Sequence, residues 1–597
     1  MSPTVRSAAT TPRTERGGRY RWLLREIDAR AAASFGSQLG IGPIAARVLY
    51  GRGYNDPADA KLFLRPSLDD LLDPLAMLGM PQAVSRLRAA IAAGEKILIY
   101  GDYDVDGTTS VVVLKKAIEL AGGAAFFHVP DRFKEGYGMR AEVVERASAE
   151  GVSLIVSVDT GIRAGEVVRR AATLGIDVIV TDHHLPEAEL PPALAVLNPN
   201  RRDCNYPDKN LCGAGVAFKL VQALLATLGW PEEKLARMLK SFLKLVAVAT
   251  VADVVPLLGE NRIIVKYGLE GLHRVHNPGL RALLEVSGML DGRAPSARQV
   301  AFQIAPRINA AGRMDDAQNV IRMFLTDDLE QARYLAGQLH SLNKERQETE
   351  ADIVRLVLEE CSKIPVTEDQ CALVFTGANF HRGVVGIVAS RLVDRFCRPV
   401  FVLGDEDGEA SGSGRSIARF HLLDALESMP DLFTRFGGHR QAAGVTMPSD
   451  VVPEFRQRLN AYAAERLTPA DFRPQLAIDA LVDLKELTTG PVVEEILGMA
   501  PFGFGNPSPL LAILDAEIAA APVVVKEKHL RVHLRQNGRN LLSTAWNFAE
   551  RAGEFSAGGR TDAAFSLEED AYSASRGWGG WSAVLKDVRR PLMPANI

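Results

Sequence analysis

The chain has 597 residues, of which 47% are hydrophobic and 24% charged, and its net charge at pH 7 is -4. This length predicts roughly three to five domains at the usual 100 to 200 residues per domain. The near-neutral charge excludes a uniformly basic surface, so any nucleic-acid binding must come from local patches. Five dispersed cysteines without CxxC pairs indicate a reducing compartment. Because no apolar run reaches the ~20 residues that span a bilayer, we expect a soluble, cytoplasmic protein without membrane contact.

Residues 1–19 are rich in Arg and Thr and poor in apolar side chains, which favours a flexible tail over the alternative, an organelle transit peptide. From about residue 80 to 275, short apolar strands alternate with helical patterns. The predicted strands are KILIYGD, AAFFHVP, SLIVSVDTG, IDVIVTDHH and ALAVLNPN. Such alternation predicts a parallel sheet with helices on its faces, and the functional crevice of such a sheet lies outside the carboxyl ends of its strands.

The stretch ILIYGDYDVDGTTS places Asp102, Asp104 and Asp106 directly after the first of these strands. The spacing resembles the start of a calcium-binding EF-hand loop, but the twelfth position, where that loop needs Glu, is Val113. The residues that follow predict a helix, so we expect the carboxylates in a strand-to-helix turn. Clustered carboxylates repel one another, which favours a bound cation, although a solvated acidic turn is the simpler interpretation of this segment alone.

Further acidic and imidazole side chains follow other apolar runs. Asp159 ends one predicted strand, His183 and His184 end the next, and Asp253 follows the run LVAVATVA. Taken singly, these residues are explained as a satisfied histidine pair or helix caps. As four clusters at equivalent strand ends, they predict one metal-binding crevice. Carboxylates with imidazoles and no thiolate favour Mn²⁺ or Mg²⁺ over structural Zn²⁺, and their number favours two ions.

The motifs GDYDVDG, VDTG, TDHH and TVADVVPL, in this order and spacing, resemble those of the DHH phosphoesterase superfamily. Within it, the chain is most similar to the RecJ family of bacterial single-strand-specific 5'→3' DNA exonucleases. APRINAAGRMDDA, GGHRQAAG and PFGFGNPSP resemble later motifs of that family, the last at the entry to an OB-fold domain. Tyr100 stands where the small pyrophosphatases of the superfamily carry a His, which disfavours that branch.

The resemblance implies an α/β fold in several parts. Residues 328–361 are rich in helix formers and predict one long helix, and short strands after residue 470 predict a small barrel. DNA would lie in a groove between two lobes. The expected parts are a flexible N-terminal tail (1–35), a DHH catalytic domain with a parallel sheet (36–275), a helical connector (276–362), a second α/β DHH-associated domain (363–467) and a C-terminal OB-fold β-barrel (468–597).

The resemblance also assigns functions to individual residues. His184 would contact the scissile phosphate or assist the leaving group, and Asp159 would bridge two ions. The implied metal ligands are Asp102, Asp104, Asp106, Asp159, His183 and Asp253; all of these except Asp102, together with His184, form the implied catalytic set. The implied DNA-binding residues are Arg132, Tyr137, Arg307, Asn309, Arg313, Ser413, Arg415 and His439, of which Arg307, Ser413 and Arg415 would form a 5'-phosphate pocket.

The activity implied is removal of nucleoside 5'-monophosphates from the 5' end of single-stranded DNA by two-metal hydrolysis, in DNA repair and recombination. The enzyme would be a monomer, with a single-strand-binding protein and a RecQ-type helicase as partners. Two alternatives stay open: a superfamily enzyme that cleaves oligoribonucleotides or cyclic dinucleotides, and a non-catalytic scaffold, which would need a broken metal site. In the barrel, single-strand contacts are expected from Lys526, Lys528, His529, Arg531, Arg535 and Trp546, although Trp546 could equally be a core residue.

Overall fold

The computed structural model describes residues 19–132, 134–136, 138–570 and 580–591. These residues form two compact units. The first comprises residues 28–343 and 493–509, and the second comprises residues 19–27, 344–492 and 510–591. Within the ranges just given, none of the helices has the length and apolar character needed to span a bilayer.

The first unit is built on a five-stranded sheet in which every pairing is parallel. All five strands overlap the segments where the sequence predicts them. The order across the sheet is Ala125–His128, Lys96–Tyr100, Val152–Val158, Asp177–Thr181 and Ala195–Leu197. Because all five run in the same direction, their carboxyl ends meet at one edge, as the sequence predicts.

Both faces of this sheet are covered by helices. Alternate side chains along a strand point to opposite faces, so Ile97 and Ile99 belong to one hydrophobic core while Leu98 and Tyr100 belong to another. The larger core also contains the apolar side chains of Val105–Leu120 and Gly213–Ala226, and the smaller one contains those of Ala141–Ala149 and Gly165–Thr173. Burial of both faces explains why the strands are almost continuously apolar.

The remaining helices of the first unit precede and follow the sheet. They are Ala29–Leu39, Pro43–Gly51, Pro57–Leu64, Met80–Ala93, Glu232–Ala252, Gly259–Gly271, Pro278–Val286, Ala297–Gln299, Ala305–Met314 and Gln318–Leu325, with a π-helix at Val300–Ile304 and short 3-10 turns at Leu68–Asp70 and Pro74–Ala76. The predicted long helix is confirmed as Leu329–Lys363, and the chain passes from the first unit into the second within it.

The second unit begins with a five-stranded mixed sheet. Its order is Arg435–Gly438, Ala442–Pro448, Glu409–Arg415, Val400–Glu406 and Leu373–Gly377, and only the last pairing is parallel. Its helices are Val385–Phe396, Leu422–Glu427 and Val452–Ala464, with 3-10 turns at Pro430–Leu432, Ser449–Val451 and Pro469–Phe472. The helix Val452–Ala464 contributes Phe455 and Leu459 to the core of this domain. This is the second α/β domain that the resemblance implies.

The C-terminal strands close into the predicted barrel. Leu510–Ile518 pairs with both Arg560–Glu569 and His529–Gln536, and this double pairing turns the sheet into a ring. The order is Ala480–Leu481, Leu510–Ile518, Arg560–Glu569, Trp581–Arg589, Arg539–Ala545, His529–Gln536 and Val523–Val525, and the short helices are Leu484–Leu487, Val492–Leu497 and the 3-10 turn Ala549–Glu554.

The described part of the predicted N-terminal tail is folded. Arg21–Leu24 pairs in parallel with Gln475–Ile478, and a helix begins at Ala29 with Asp28 as its N-cap. The expectation of a flexible segment that extends to residue 35 is therefore wrong for the residues from 21 onward. Composition misled here because Trp22 and Leu24 reach an apolar cluster that is supplied by distant parts of the chain. Residues 1–18 lie outside the described ranges.

A buried ion pair ties helices of the first unit to an N-terminal segment. The Lys219 Nζ donates to Glu260 Oε1 at 2.8 Å and to the Leu72 carbonyl at 2.6 Å, and both charged side chains are almost fully buried. The Tyr206 hydroxyl donates to the second Glu260 oxygen at 2.5 Å. Each charge is therefore compensated within the network.

Replacement of Lys219 by Met should destabilise the protein by about 3 to 5 kcal/mol, because it leaves the Glu260 carboxylate buried without its cation. Urea unfolding monitored by circular dichroism measures the change. The matched control is Lys61→Met, an exposed lysine, which should change stability by less than about 0.5 kcal/mol. Equal effects of the two substitutions would contradict this account of the buried pair.

Candidate metal centre

The loop after the first sheet strand carries the three aspartates in a strand-to-helix turn, as predicted. Asp104 is the N-cap of the helix Val105–Leu120, and its Oδ1 accepts the Gly107 N–H at 2.9 Å. A Cβ at Gly107 would lie 2.5 Å from the Asp102 carbonyl oxygen, so only glycine lets the helix start this close to the loop. The helical continuation confirms that this is not an EF-hand loop.

Asp106 is held by the N-terminus of another helix. Its two carboxylate oxygens accept the N–H groups of Gly213 at 2.6 Å and Ala214 at 2.8 Å, at the start of Gly213–Ala226. A Cβ at Gly213 would meet the Asp159 Cβ at 2.5 Å, so the same helix end lies against both aspartates. The positive end of the helix dipole stabilises these buried carboxylates.

Asp159 follows the strand Val152–Val158 directly and adopts a left-handed backbone with φ 59°. Its N–H donates to the Thr181 carbonyl at 2.9 Å, which continues the sheet by one residue. A non-glycine residue in this conformation costs free energy, and such strain is found where the position of a side chain matters. Here the turn directs a nearly fully buried carboxylate into the cluster.

The two histidines are held by Asp182, at the end of Asp177–Thr181. Its Oδ1 accepts the backbone N–H groups of His183 at 2.7 Å and His184 at 3.1 Å, and it lies 2.7 Å from the His184 Nδ1. Its Oδ2 accepts the Ile162 N–H at 2.9 Å. In the sequence, Asp182 is the aspartate of the motif TDHH, directly after a predicted strand, but the resemblance assigns it no function. Its position directly before two histidines and after a buried strand is the signal that could have identified it.

His183 lies at the centre of the cluster. Its Nε2 is 3.3 Å from Asp159 Oδ1, 3.7 Å from Asp253 Oδ2 and 3.8 Å from Asp106 Oδ2. Asp159 and His183 each belong to two groups of potential ligands, and the ligand atoms within a group lie within 4.8 Å of one another. The three groups are Asp159 with His183 and His184, Asp106 with His183 and Asp253, and Asp102 with Asp104 and Asp159.

Asp253 reaches this cluster from an element that the sequence analysis misassigned. It does not end a strand; it is the C-cap of the helix Glu232–Ala252. The second half of that helix is buried on all sides, from Phe242 to Val251. A helix that is apolar all round lacks the 3.6-residue pattern that distinguishes it from a buried strand, which explains the error. The prediction that Asp253 joins the other acidic residues is nevertheless what the structure shows.

The donor set fits a divalent cation. Four buried polar atoms here, Asp102 Oδ1, Asp159 Oδ1, His183 Nε2 and Asp253 Oδ2, have no hydrogen-bond partner among the described residues. Buried polar atoms without partners are costly, so their convergence indicates that something else satisfies them. Oxygen ligands with one or two imidazoles suit Mn²⁺ and Mg²⁺.

Burial and mutual repulsion perturb the titration of these groups. Burial first and the neighbouring Asp104 second raise the pKa of Asp102 to about 8. Burial and the charge of Asp106 raise the pKa of Asp253 to about 9, and the same causes hold the pKa of Asp159 well above its ordinary value. Without a cation, several of these carboxyls are therefore protonated at neutral pH.

The pKa values of the two histidines are shifted in opposite directions. Burial lowers the pKa of His183, which keeps its imidazole neutral and able to bind a metal. Burial would also lower the pKa of His184, but the hydrogen bond and the charge of Asp182 outweigh it and raise the pKa overall. The pair therefore combines one neutral ring inside the cluster with one ring that favours the protonated form.

Three of the expected DNA-binding residues lie beside the aspartate loop. The Arg132 guanidinium lies 5.4 Å from the ring centroid of Tyr103, which stands between the first two aspartates. Asn309 Oδ1 accepts the Val105 N–H at 3.2 Å, so this side chain supports the start of the helix. Burial raises the pKa of Tyr103, and the charges of Arg132 and Arg313 oppose that rise. These three residues therefore adjoin the loop that carries the carboxylates, and their assignment to DNA binding stays a prediction.

The guanidinium of Arg307 is bonded to neighbouring residues of the first unit. Its Nε is 3.2 Å from His340 Nδ1, and the guanidinium also donates to the carbonyls of Gln303 and Val286. Tyr137, the expected stacking or steric group at the strand entrance, lies outside the described residues.

In the second unit, Ser413 and Arg415 lie on one face of the strand Glu409–Arg415. A Cβ added to Gly386, in the first turn of the helix Val385–Phe396, would lie 3.0 Å from an Arg415 Nη and 3.5 Å from the Ser413 Cβ. The two side chains therefore adjoin a helix N-terminus, which favours binding of an anion such as phosphate. His439 is exposed in the adjacent turn, where its N–H donates to the Ala442 carbonyl at 2.8 Å.

The barrel exposes basic and aromatic side chains. Alternation along His529–Gln536 places Arg531 and Arg535 on the exposed face, and Lys526 and Lys528 are exposed in the turn that precedes this strand. Trp546 is 48% exposed and packs edge-on against His529 at 4.7 Å, so it is not a core residue.

Comparison with known proteins agrees with this architecture. Three domain families match: "DHH family, N-terminal domain" over residues 96–250, "DHHA1 domain" over 369–465 and "RecJ OB domain" over 478–578. The single-stranded-DNA-specific exonuclease RecJ of Bacillus subtilis is 40% identical over 535 residues, which cover 89% of this chain and 66% of that protein. The RecJ of Dickeya dadantii is 42% identical and covers 80% of this chain and 84% of that protein.

The fold is also similar to that of a solved structure. The crystal structure of RecJ from Thermus thermophilus in complex with Mn²⁺ superposes with a TM-score of 0.79 at 32% sequence identity. The superposition covers 96% of this chain and 80% of that one. It therefore includes residues of both units.

Binding of Mn²⁺ or Mg²⁺ should release at least about one proton per protein at pH 7, because the ions must displace protons from carboxyls whose pKa values are raised. Affinity should therefore rise with pH from about 6 to 8, in the direction of the raised pKa values. Titration calorimetry in two buffers of different ionisation enthalpy measures the released protons. Binding without proton release would contradict the ionisation states described above.

Proposed function

This chain belongs to the RecJ family, and on that premise we propose that it is a 5'→3' exonuclease specific for single-stranded DNA, which releases nucleoside 5'-monophosphates. The observation that carries the proposal is the cluster in which buried carboxylates and His183 converge with unpartnered atoms. The direction of cleavage and the product are inferences from the family resemblance and the site chemistry.

We assign the ion-holding function to this cluster. Its residues are Asp102, Asp104, Asp106, Asp159, His183 and Asp253. Two divalent ions, when bound, lower the pKa of an attacking water and stabilise the charge that develops on the phosphate. Asp159 is suited to contact both ions because it belongs to two ligand groups. Its left-handed backbone fixes the direction of that carboxylate.

His184 is suited to contact the scissile phosphate or to assist the leaving group. Asp182 orients the ring through Nδ1, and the resulting rise in pKa favours the imidazolium, which attracts a phosphate oxygen. His183, with a lowered pKa, is suited to ligation and not to this function. The two neighbouring imidazoles therefore perform different functions because their environments differ.

Features outside the metal cluster favour a nucleic-acid strand as substrate. The barrel presents Arg531, Arg535 and an exposed Trp546, a combination that suits stacking and backbone contacts with a single strand. An enzyme for dinucleotides has no need of such a surface, which disfavours that alternative. A non-catalytic scaffold is disfavoured because the ligand set is complete and converges.

We further propose the biological setting. An enzyme that needs an unpaired strand depends on other proteins to expose and protect one, so a RecQ-type helicase and a single-strand-binding protein are expected partners in repair and recombination. A DNA substrate implies action in the cytoplasm, and we expect a monomer. We assign catalysis to residues 36–275, connection to 276–362, phosphate contacts to 363–467 and strand binding to 468–597.

With Mn²⁺, the protein should shorten a single-stranded oligonucleotide from its 5' end, and Asp159→Ala should reduce the rate by at least about a thousandfold, because the variant loses a ligand shared by two groups. Binding of the strand should be largely retained. Paired 5'-labelled and 3'-labelled substrates show the direction of cleavage. The control is Asp291→Ala, at an exposed aspartate, which should leave the rate unchanged.

Two outcomes would contradict the proposal. Near-parental turnover by Asp159→Ala would exclude the ion-holding assignment. Removal of nucleotides from the 3' end, seen in the first labelled products, would exclude the proposed polarity. The assignment of the metal centre would be unaffected.

We propose that Arg415 and Ser413 bind the terminal 5'-phosphate and that Arg307 provides a further phosphate contact.

Arg415→Ala should reduce the rate on 5'-phosphorylated strands at least about tenfold more than on 5'-hydroxyl strands, because a charge-assisted hydrogen bond is worth roughly 1.5 to 3 kcal/mol. Kinetics on the two substrates test the assignment of Arg415. Arg458→Ala, an arginine of the same unit that pairs with Asp431, is the control. Equal losses on both substrates would show that Arg415 contacts only the internal backbone.

A further inference from the structure

Residues 500–506, with the sequence APFGFGN, form a turn that we call the strap. It belongs to the first unit although barrel strands precede and follow it in the chain. The buried guanidinium of Arg262 donates to the Ala500 carbonyl at 2.8 Å. Arg52 donates to Asn506 Oδ1 at 3.1 Å, and the Asn506 amide donates to the Pro501 carbonyl at 2.9 Å. The strap is therefore fixed at both ends by polar contacts. Arg262 and Asn506, which make these contacts, are nearly fully buried.

The strap lies against residues 254–257, the loop that follows the ligand Asp253. The Leu257 N–H donates to the Phe504 carbonyl at 2.8 Å. A Cβ at Gly503 would lie 2.6 Å from the Leu257 Cδ1, and a Cβ at Gly505 would lie 2.8 Å from the Pro256 Cβ and 3.0 Å from its Cα. The strap backbone therefore approaches the loop so closely that neither glycine can carry a side chain without movement.

This loop begins with a strained residue. Val254 has φ 59°, a left-handed conformation that β-branched residues rarely adopt, and its side chain is 60% exposed. Its own burial therefore does not offset the cost of this strained conformation. Such a conformation persists only when the neighbouring structure enforces it. The helix that ends at Ala252 constrains one side of Val254.

Constraint on the other side comes from two contacts of the loop. One is the hydrogen bond from Leu257 to the strap, and the other is donated by the Asn261 amide to the Pro256 carbonyl at 3.1 Å. Asn261 is fully buried and its amide also donates to the Asn210 carbonyl at 2.6 Å. The strap and Asn261 together hold the loop from its C-terminal end.

We propose that the strap is a positioning element for the metal ligand Asp253. By holding residues 255–257, it keeps Val254 left-handed and so keeps the Asp253 Oδ2 directed at the cluster, 3.7 Å from His183 Nε2. This inference rests on one part of the proposed function, namely that the cluster binds divalent ions. Gly503, Phe504 and Gly505 contact Pro256 and Leu257, so we infer that they affect ion binding through the loop.

The test compares two glycines that share a backbone conformation and differ in surroundings. Gly505 has φ 74° and faces Pro256, whereas Gly490 has φ 73° and nothing within 4 Å of an added Cβ. Alanine strains the backbone equally at both sites, but only Gly505→Ala displaces the loop. Mn²⁺ binding by the full chain, without DNA, is measured by electron paramagnetic resonance of the free ion. Gly505→Ala should weaken Mn²⁺ binding at least tenfold, and Gly490→Ala should stay within twofold of the parent.

Two further variants keep the test decisive. Gly503→Ala meets only the flexible end of Leu257, so it should fold even where Gly505→Ala does not, and it should weaken Mn²⁺ binding in the same direction. Val254→Gly removes the strain that the strap opposes, so it should recover most of the Mn²⁺ affinity in the Gly505→Ala background. Circular dichroism confirms that each variant is folded.

The outcomes separate this inference from the proposed exonuclease function. Folded Gly505→Ala and Gly503→Ala proteins that bind Mn²⁺ like the parent overturn the positioning function of the strap, whatever the activity. Weakened binding in both variants supports it, even if the parent does not degrade DNA. A parent that binds no Mn²⁺ overturns both the inference and the metal centre.

Discussion

Holding several buried carboxylates close together is the main physical demand on this fold. Like charges in a low-dielectric site repel strongly, and burial adds a desolvation cost, so Asp102 and Asp253 titrate several pH units above exposed aspartates. A fold tolerates such a group only where function requires it and where the backbone holds each member in place. The aspartates here come from separate places in the chain, so their approach is a property of the tertiary structure and not of one motif.

The parallel sheet makes this approach possible. Its strands deliver Asp102 and its neighbours, Asp159 and the histidines to one edge, where helix N-termini supply N–H donors to the buried carboxylates. Asp253 comes from the end of a helix instead, and in the segment after it the Leu257 N–H donates to the carbonyl of Phe504, which lies far along the chain. A residue far beyond position 275 therefore contacts the segment that follows this aspartate.

Much of this organisation could be predicted because local patterns carry it. The five sheet strands, the helix after the aspartates, the long helix and the barrel follow from apolar runs, composition and turn residues. The element that carries Asp253 could not be predicted, since a helix buried on all sides and a buried strand are both uniformly apolar. The strap could not be predicted either, because the need for glycine at 503 and 505 arises from atoms of Pro256 and Leu257. For Asp182, the position after a strand could be predicted, but its contact with His184 Nδ1 could not, because that contact depends on the fold of the turn.

On the proposed function, the charge distribution separates binding of the strand from the chemistry. The net charge is -4 and the cluster consists of carboxyl groups and histidines, so without ions it offers little positive charge to a phosphodiester. Two divalent ions would bring positive charge to this place. Attraction of the scissile phosphate to the cluster would therefore depend on ion binding, whereas the arginines that we propose as strand contacts, Arg415, Arg531 and Arg535, are charged at any ion concentration. The proposed function therefore needs the ions for the phosphate and not for these strand contacts.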